Sequence, residues 1–321
     1  MRALLPLLAL VVFPALAQPK PEETLSAVVG VSSKIRANAR SAESLGTQRQ
    51  GSGALIREGY VLTIGYLVME AEAIEVRSAS GRTVPATLAA FDHHSGFGLL
   101  KLGAPLEGTP LALGDSAALA ERDPAMVVNS SGREGATIVQ VVSRRQFSGS
   151  WEYLLDSAIF TYPPVDNWSG AALIGTKGEL LGIGSLIVSD AEGQGGQSPG
   201  NMFVPVDLLK PVLSDLIAQG RRSSPARPWL GVNTDEFRGR LFVTRLSPGG
   251  PGERAGLQAE DIVLAVGGEE VKTLAEFYRK VWARGAAGVN VPLKVLRGAQ
   301  VRDVTVRSID RVQYFRGSAT Y

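Results

Sequence analysis

The stretch Asn-Trp-Ser-Gly-Ala-Ala-Leu-Ile-Gly-Thr-Lys-Gly-Glu-Leu-Leu-Gly-Ile at residues 167–183 places Ser169 in a glycine-containing turn between short apolar runs. Similar runs, broken by Gly, Asp, Ser and Pro, recur on both sides of it, from Gly51 to about Leu216. No long amphipathic helix separates them. This spacing predicts an all-β sandwich or barrel for the first part of the chain.

A second unit follows a polar linker that contains two prolines. The unit combines short apolar runs with an amphipathic helix over 273–284 and a hairpin that turns at Gly298. A further helix is predicted over 205–219, with Gly220 ending it. The predicted organisation is a signal peptide (1–17), an N-terminal segment (18–50), a first domain (51–218), a linker (219–228), a second domain (229–308) and a C-terminal tail (309–321).

Residues 1–17 carry a positive charge near their start, at Arg2, continue as an apolar run and end in the small residues Ala15 and Ala17. This pattern is typical of a secretory signal. The run is shorter than the about 20 residues that span a membrane. We therefore expect cleavage, a periplasmic location and no stable membrane insertion afterwards. The chain contains no cysteine, which excludes disulfides and thiolate metal sites. Its 33 basic and 31 acidic residues form no basic stripe, so nucleic acid is not an expected partner.

Three stretches of the first domain carry a family resemblance: GSGALIREGYVLTIGYLV at 51–68, FDHHSGFGLLKL at 91–102, and the stretch at 167–183. Their order and spacing resemble the HtrA (DegP-like) family of trypsin-like serine proteases. RPWLGV at 227–232 and LSPGGPGERAGLQAEDIVLAVGG at 246–268 are similar to the PDZ domain of that family. The resemblance implies a mainly β fold, in which a trypsin-like double β-barrel precedes an α+β PDZ domain.

The resemblance also assigns the catalytic positions. The family's catalytic His falls on Tyr66 and its Asp on Gly96, while Ser169 keeps the nucleophile position and Asn167 replaces a glycine of the oxyanion hole. A phenol, with an ordinary pKa of about 10, is a poor general base near neutral pH, and glycine has no side chain to orient a base. Losing the base of such a triad costs about 10⁶ in turnover. The sequence thus predicts a catalytically inactive member; the alternative is a serine endopeptidase with residual or rearranged catalysis at Ser169.

The chain has two histidines, His93 and His94, next to the vacated acid position. They would serve either as a substitute base or, more simply, as two solvated imidazoles in a surface turn. A metal site would need more ligands than the neighbouring Asp92 supplies. We expect neither a metal nor another cofactor.

In the PDZ-like unit the resemblance implies a loop whose N–H groups hold the carboxylate of a peptide C-terminus. The loop residues are Trp229, Leu230, Gly231 and Val232, and the helix residues Phe277, Tyr278 and Val281 either line the side-chain pocket or fill the core. The prediction is a secreted pseudoprotease that binds polypeptide C-termini or unfolded segments as a scaffold, regulator or chaperone-like partner, with an active protease relative as one candidate partner. Oligomerisation stays open: family members form trimers through N-terminal regions, but residues 18–50 contain no aromatic anchor.

Overall fold

The structure is a computed structural model that describes residues 21–315, so the predicted signal peptide lies outside the described residues. The first part of the chain is a closed barrel with the strand order β1–β2–β3–β6–β5–β4. Its elements are α1 (Pro21–Ser26), β1 (Val28–Ile35), α2 (Ala42–Leu45), β2 (Gln48–Arg57), β3 (Tyr60–Ile64), β4 (Ala71–Arg77), β5 (Thr83–Asp92) and β6 (Phe97–Leu102).

The first barrel begins earlier than the sequence predicts. Strand β1 lies inside the stretch 18–50 that was expected to be a separate N-terminal segment, and it pairs with both β2 and β4. Val28, Val31 and Ile35 of this strand are buried. Because β1 closes the barrel between its two neighbours, this strand is part of the first domain.

The second part is another closed barrel, with the order β10–β11–β12–β9–β8–β7. Its strands are β7 (Pro124–Val128), β8 (Ala136–Gly149), β9 (Tyr153–Tyr162), β10 (Ala172–Ile174), β11 (Leu180–Val188) and β12 (Gly200–Pro205). One hydrophobic cluster runs through both barrels and includes Phe97 of the first and Phe160 of the second. The two barrels therefore form one packed unit, with their loops meeting at the boundary.

The helix predicted over 205–219 is divided in the structure. Val206–Leu208 form a 3₁₀ turn, and the α-helix α3 covers only Leu213–Gln219. Pro211 lies between them, and a proline has no N–H to continue the helical hydrogen bonds. Gly220 ends α3 in the left-handed conformation, as expected.

The C-terminal part is a sheet with the order β13–β14–β15–β17–β18, to which β16 adds beside β15. Its elements are β13 (Val232–Phe237), β14 (Arg240–Leu246), α4 (Pro251–Arg254), β15 (Ile262–Val266), β16 (Glu269–Glu270), α5 (Leu274–Trp282), β17 (Asn290–Arg297), β18 (Gln300–Arg307) and α6 (Arg311–Phe315). Thr273 caps α5 by accepting a hydrogen bond from the Glu276 N–H at 3.2 Å. The predicted fold class, mainly β with an α+β domain at the end, is confirmed.

Residues 309–315 of the expected C-terminal tail pack back on the last domain. Trp229 and Ile309 form a bridge by exchanging two backbone hydrogen bonds, and the Tyr314 ring lies 4.7 Å from the Trp229 ring. Helix α6 therefore belongs to the folded domain. Within residues 21–315, no helix has the length and apolar character to cross a membrane.

Candidate functional site

Ser169 and Tyr66 meet at the boundary between the two barrels. Tyr66 lies in the 3₁₀ turn Gly65–Leu67 after β3, and Ser169 lies in the loop between β9 and β10. The Ser169 Oγ donates a hydrogen bond to the Tyr66 Oη at 2.8 Å, and this Oη donates to the carbonyl oxygen of Ser185 at 2.8 Å. Burial raises the pKa of Tyr66 to about 12, although its hydrogen bonds with Ser169 and Trp168 act in the opposite direction and lower the pKa. The phenol is thus a neutral hydrogen-bonding partner of Ser169 at neutral pH.

Close backbone packing fixes the position of Ser169. The Ser52 N–H donates to the Ser169 carbonyl at 2.8 Å, which ties the serine loop to β2 of the first barrel. Gly170 has a φ of +73°, and a Cβ there would lie 1.9 Å from the Ser52 carbonyl oxygen. A Cβ at Gly184 would lie 2.0 Å from the Trp168 carbonyl oxygen. Gly170 therefore allows the two barrels to approach each other at the serine loop, and Gly184 allows that loop to pack closely on β11.

Gly96, which the resemblance assigns to the acid position, is covered by Tyr153. Gly96 has a φ of +82°, and a Cβ there would lie 3.2 Å from the Tyr153 Oη. Tyr153 is buried and donates a hydrogen bond from its Oη to the Ser95 carbonyl oxygen at 2.5 Å. The Gly65 N–H donates to the Gly96 carbonyl at 2.7 Å. A tyrosine side chain from the second barrel thus closes the place beside the Tyr66 turn where a carboxylate would have to lie.

The loop just before Ser169 contains the residue predicted for the oxyanion hole and is partly open to solvent. Asn167 is exposed and Trp168 is half-buried. The Ala171 N–H donates to the Trp168 carbonyl at 2.9 Å, which closes a turn around Ser169. The assignment of Asn167 to an oxyanion-hole position stays a prediction.

The two histidines are not solvated as expected. Both are half-buried and line a cavity of about 1230 Å³ between the first barrel, the 219–228 linker and the C-terminal domain. Burial lowers the pKa of His93 well below its usual value, and burial together with the charge of Arg227 lowers that of His94 to about 4. Within residues 21–315 neither histidine hydrogen-bonds to Ser169, and no cluster of ligating side chains suits a metal ion.

Asp92, beside the histidines, joins the first barrel to the linker. Arg222 donates to its carboxylate from Nε and Nη2, each at 2.6 Å, and Ser95 also hydrogen-bonds to it. Burial alone would raise the pKa of Asp92, but the charge and hydrogen bonds of Arg222 more than offset this and hold the pKa below 3.8. This buried ion pair fixes the path of the linker.

The predicted carboxylate loop of the C-terminal domain is occupied from within the chain. The Glu152 carboxylate accepts hydrogen bonds from the backbone N–H groups of Leu230 at 2.9 Å, Gly231 at 2.7 Å and Val232 at 3.1 Å. The fourth loop residue, Trp229, instead donates its N–H to the Ile309 carbonyl. Three of the four predicted loop residues therefore point their N–H groups at a carboxylate, and it comes from the β8–β9 turn.

The three helix residues have different surroundings. Phe277 and Val281 are fully buried in the core of the domain, which favours the packing role left open by the sequence. Tyr278 is also buried, but its Oη donates to the Gly149 carbonyl oxygen at 2.7 Å. Tyr278 thus hydrogen-bonds to the start of the β8–β9 turn, whose Glu152 lies on the predicted carboxylate loop.

The sequence analysis missed Glu152 and Tyr153. They lie in the short stretch Ser-Trp-Glu-Tyr at 150–153, whose local pattern is that of an exposed turn. The one signal in it is the pair of aromatic residues flanking an acidic residue, which is unusual for a turn exposed to water.

Comparisons with known proteins agree with this architecture. A family described as "Trypsin-like peptidase domain" matches residues 51–183, and one described as "PDZ domain" matches residues 242–297. The chain is 29% identical over 276 residues to a "Probable periplasmic serine protease do/HhoA-like" of Haemophilus influenzae, which covers 80% of this chain and 57% of that protein. It is 30% identical over 274 residues to the "Periplasmic pH-dependent serine endoprotease DegQ" of Escherichia coli, which covers 80% of this chain and 58% of that protein.

Solved structures show the same fold. The structure titled "HtrA-type protease AlgW with tripeptide" has a TM-score of 0.54 at 23% identity, covering 91% of this chain and 97% of that chain. A serine endoprotease from Yersinia pestis has a TM-score of 0.53 at 24% identity, covering 92% and 99%.

The names of the sequence relatives support the alternative, a serine endopeptidase, more directly than they support a catalytically inactive protein. The chain spans less than two thirds of the length of the relatives it matches. Its trypsin-like peptidase domain, the PDZ domain that follows and its DegP-like relatives together show that the chain belongs to the HtrA (DegP-like) family of trypsin-like serine proteases.

Proposed function

We propose that this chain is a periplasmic HtrA-type protein that binds polypeptides and does not hydrolyse them at Ser169. The observation that carries the proposal is the buried Tyr66 phenol in hydrogen-bond contact with Ser169. With a pKa of about 12, only about one phenol in 10⁵ is ionised at pH 7, so a proton acceptor for Ser169 is almost never present. Tyr153 covers Gly96 so closely that a Cβ there would lie 3.2 Å from its Oη, so a carboxylate at this position would require Tyr153 to move.

The second candidate is a serine endopeptidase. It is favoured by the names of the sequence relatives, which are periplasmic serine proteases, and by the retained Ser169. For this function a base other than Tyr66 would have to reach the Ser169 Oγ after a rearrangement. The two candidates differ in whether the Ser169 hydroxyl is activated.

Labelling with a fluorophosphonate reagent separates them, because the reagent modifies only activated serines. The purified chain is incubated at pH 7.5 beside DegQ as an active control, and digestion of unfolded casein is followed in parallel. We expect no labelling above that of the Ser169→Ala variant, and no cleavage. Stoichiometric labelling that is lost in Ser169→Ala and kept in Tyr66→Phe would establish the endopeptidase with a different base.

For the PDZ domain, we propose that the loop Leu230–Val232 binds the free carboxylate of polypeptide C-termini, in a scaffold, regulatory or chaperone-like role. The proposal is supported by three loop N–H groups that already hold a carboxylate. Hydrogen bonds to a charged group contribute about 1.5–3 kcal/mol, so amidating a peptide's C-terminus should weaken binding by that amount. Titration of paired free-acid and amidated peptides tests this, and equal affinities would reject it.

A further inference from the structure

The turn between β8 and β9 enters the PDZ groove in the manner of a peptide ligand. In peptide recognition by strand addition, backbone hydrogen bonds attach the ligand to a sheet edge while a loop holds its terminal carboxylate. The Thr234 N–H of β13 donates to the Ser150 carbonyl oxygen at 2.9 Å. Two residues further on, the Glu152 side chain places its carboxylate on the loop. Residues 150–152 thus take the positions of the last three residues of a peptide, with a side-chain carboxylate in place of the terminal one.

Further contacts hold the turn from the sides. Tyr278 of α5 donates to the Gly149 carbonyl and accepts from the Glu152 N–H at 3.3 Å. Arg311 of α6 donates to the Trp151 carbonyl oxygen at 3.1 Å. The Leu154 side chain is buried and belongs to the hydrophobic core of the PDZ domain, although its strand belongs to the second barrel. The turn and the strand after it thus make both polar and apolar contacts with the PDZ domain.

The conformation of Glu152 also indicates a specific role. Its φ is +57°, a left-handed conformation that residues with a side chain adopt at a cost in free energy. Such residues persist where surrounding contacts determine the conformation, and they are frequent at functional sites. Here the strained backbone directs the carboxylate to the loop. Burial raises the pKa of Glu152 to about 7, opposed by the N–H groups of the loop and by the charge of Arg311.

We propose that the turn 149–154 is an internal ligand of the PDZ domain, and that polypeptide C-termini bind to the loop Leu230–Val232 by displacing Glu152. The inference rests on the proposed function for the identity of the external ligand. Its consequence is a closed resting state: a free C-terminus binds only to the fraction of molecules whose groove is vacant, and its apparent affinity is reduced by that fraction. Releasing the turn detaches a hairpin of the second barrel from the PDZ domain.

The first experiment measures competition. The full chain and its Glu152→Gln variant are titrated at pH 8, where Glu152 is mostly ionised, with fluorescein-labelled random hexapeptides ending in Leu, Val or Phe as free acids. Loss of the charged hydrogen bonds weakens the internal ligand, so we expect the variant to bind the peptides about ten- to hundredfold more tightly. The control is Asp156→Asn on the same hairpin, which removes only an exposed ion pair with Arg279 and should change the affinity less than about fivefold.

The second experiment follows hydrogen exchange of the unliganded proteins. In Glu152→Gln, the amides of residues 230–232 should exchange at least about tenfold faster than in the wild type, while the amides of the barrel strands stay protected. Added peptide should keep residues 230–232 of the wild type protected while it exposes residues 149–154.

The outcomes separate the two proposals. Equal peptide affinity of wild type and Glu152→Gln overturns the internal ligand and leaves peptide binding in place. If neither protein binds the peptides, the proposed function of the PDZ domain fails. Exchange at residues 230–232 then decides alone: faster exchange in Glu152→Gln supports the internal ligand, and unchanged exchange overturns it.

Discussion

Replacing Tyr66 with histidine should raise the reactivity of Ser169 by only about ten- to thirtyfold. An imidazole, with a pKa near 6.5, is mostly in its basic form at pH 7.5, whereas the Tyr66 phenol with a pKa of about 12 is not. A triad without its base loses about 10⁶ in turnover, and a triad that lacks only its carboxylate loses about 3 × 10⁴. The ratio of these losses gives an upper limit of about thirtyfold for Tyr66→His.

The distance between position 66 and Ser169 reduces the gain in reactivity expected for Tyr66→His. The Tyr66 Oη lies 2.8 Å from the Ser169 Oγ. An imidazole is shorter than a phenol, so its outer nitrogen starts farther from the serine and must approach through a movement of the Gly65–Leu67 turn. Because a base acts only within hydrogen-bonding distance, the gain falls toward tenfold.

Adding Gly96→Asp should bring no further gain while Tyr153 is present. The new Cβ would lie 3.2 Å from the Tyr153 Oη, and the backbone at position 96 has a left-handed φ of +82°. The Asp side chain would therefore be directed away or would disturb the packing of Tyr153. A third substitution, Tyr153→Phe, removes the obstructing oxygen and is expected to give an additional rise in reactivity.

Second-order rates of fluorophosphonate labelling at pH 7.5 measure these effects, with Ser169→Ala as the blank and Tyr66→Phe as the matched control without a base. The thermal unfolding of each variant shows whether it folds. A rise of about 10⁶ in Tyr66→His/Gly96→Asp with Tyr153 intact would refute the argument that Tyr153 closes the acid position.

Three other substitutions test the packing. Arg222→Ala leaves the buried Asp92 carboxylate without its ion pair and should destabilise the protein by about 3 kcal/mol in urea unfolding. Because the pKa of Asp92 is lowered in the folded state, this stabilisation is present above about pH 4 and is lost as the pH falls through the folded pKa. The stabilities of the variant and the wild type should therefore converge in acid. A constant difference down to about pH 2 would contradict this prediction. Gly170→Ala places a Cβ 1.9 Å from the Ser52 carbonyl oxygen and should cost about 2–4 kcal/mol, which thermal unfolding measures. Gly231→Ala, at a φ of +73°, should destabilise the protein by about 1–2 kcal/mol and weaken peptide binding, and an unchanged affinity would show that this loop is not the binding site.

Local patterns in the sequence determined most of the fold. Short apolar runs separated by turn residues specify strands, and the amphipathic 273–284 stretch with its Thr273 cap specifies a helix, because these preferences act over a few residues. The family resemblance also assigned Tyr66, Gly96 and Ser169 to one site, and in the structure Tyr66 contacts Ser169. The start of the first barrel was placed too late, because the closing role of β1 depends on pairing with β2 and β4.

Only the tertiary structure decided what surrounds these positions. Arg222 pairs with Asp92 across 130 residues, and the neighbouring histidines line a cavity beside this pair, where the sequence suggested a solvent-exposed turn. Glu152 reaches a loop about 80 residues away, and its own neighbourhood in the chain is that of an ordinary hairpin turn. A carboxylate in a turn has the same local pattern whether it faces water or three N–H groups, because its partner is brought to it by the packing of separate domains. The chain's own ligand for its PDZ groove therefore becomes visible only when the second barrel and the PDZ domain are seen together.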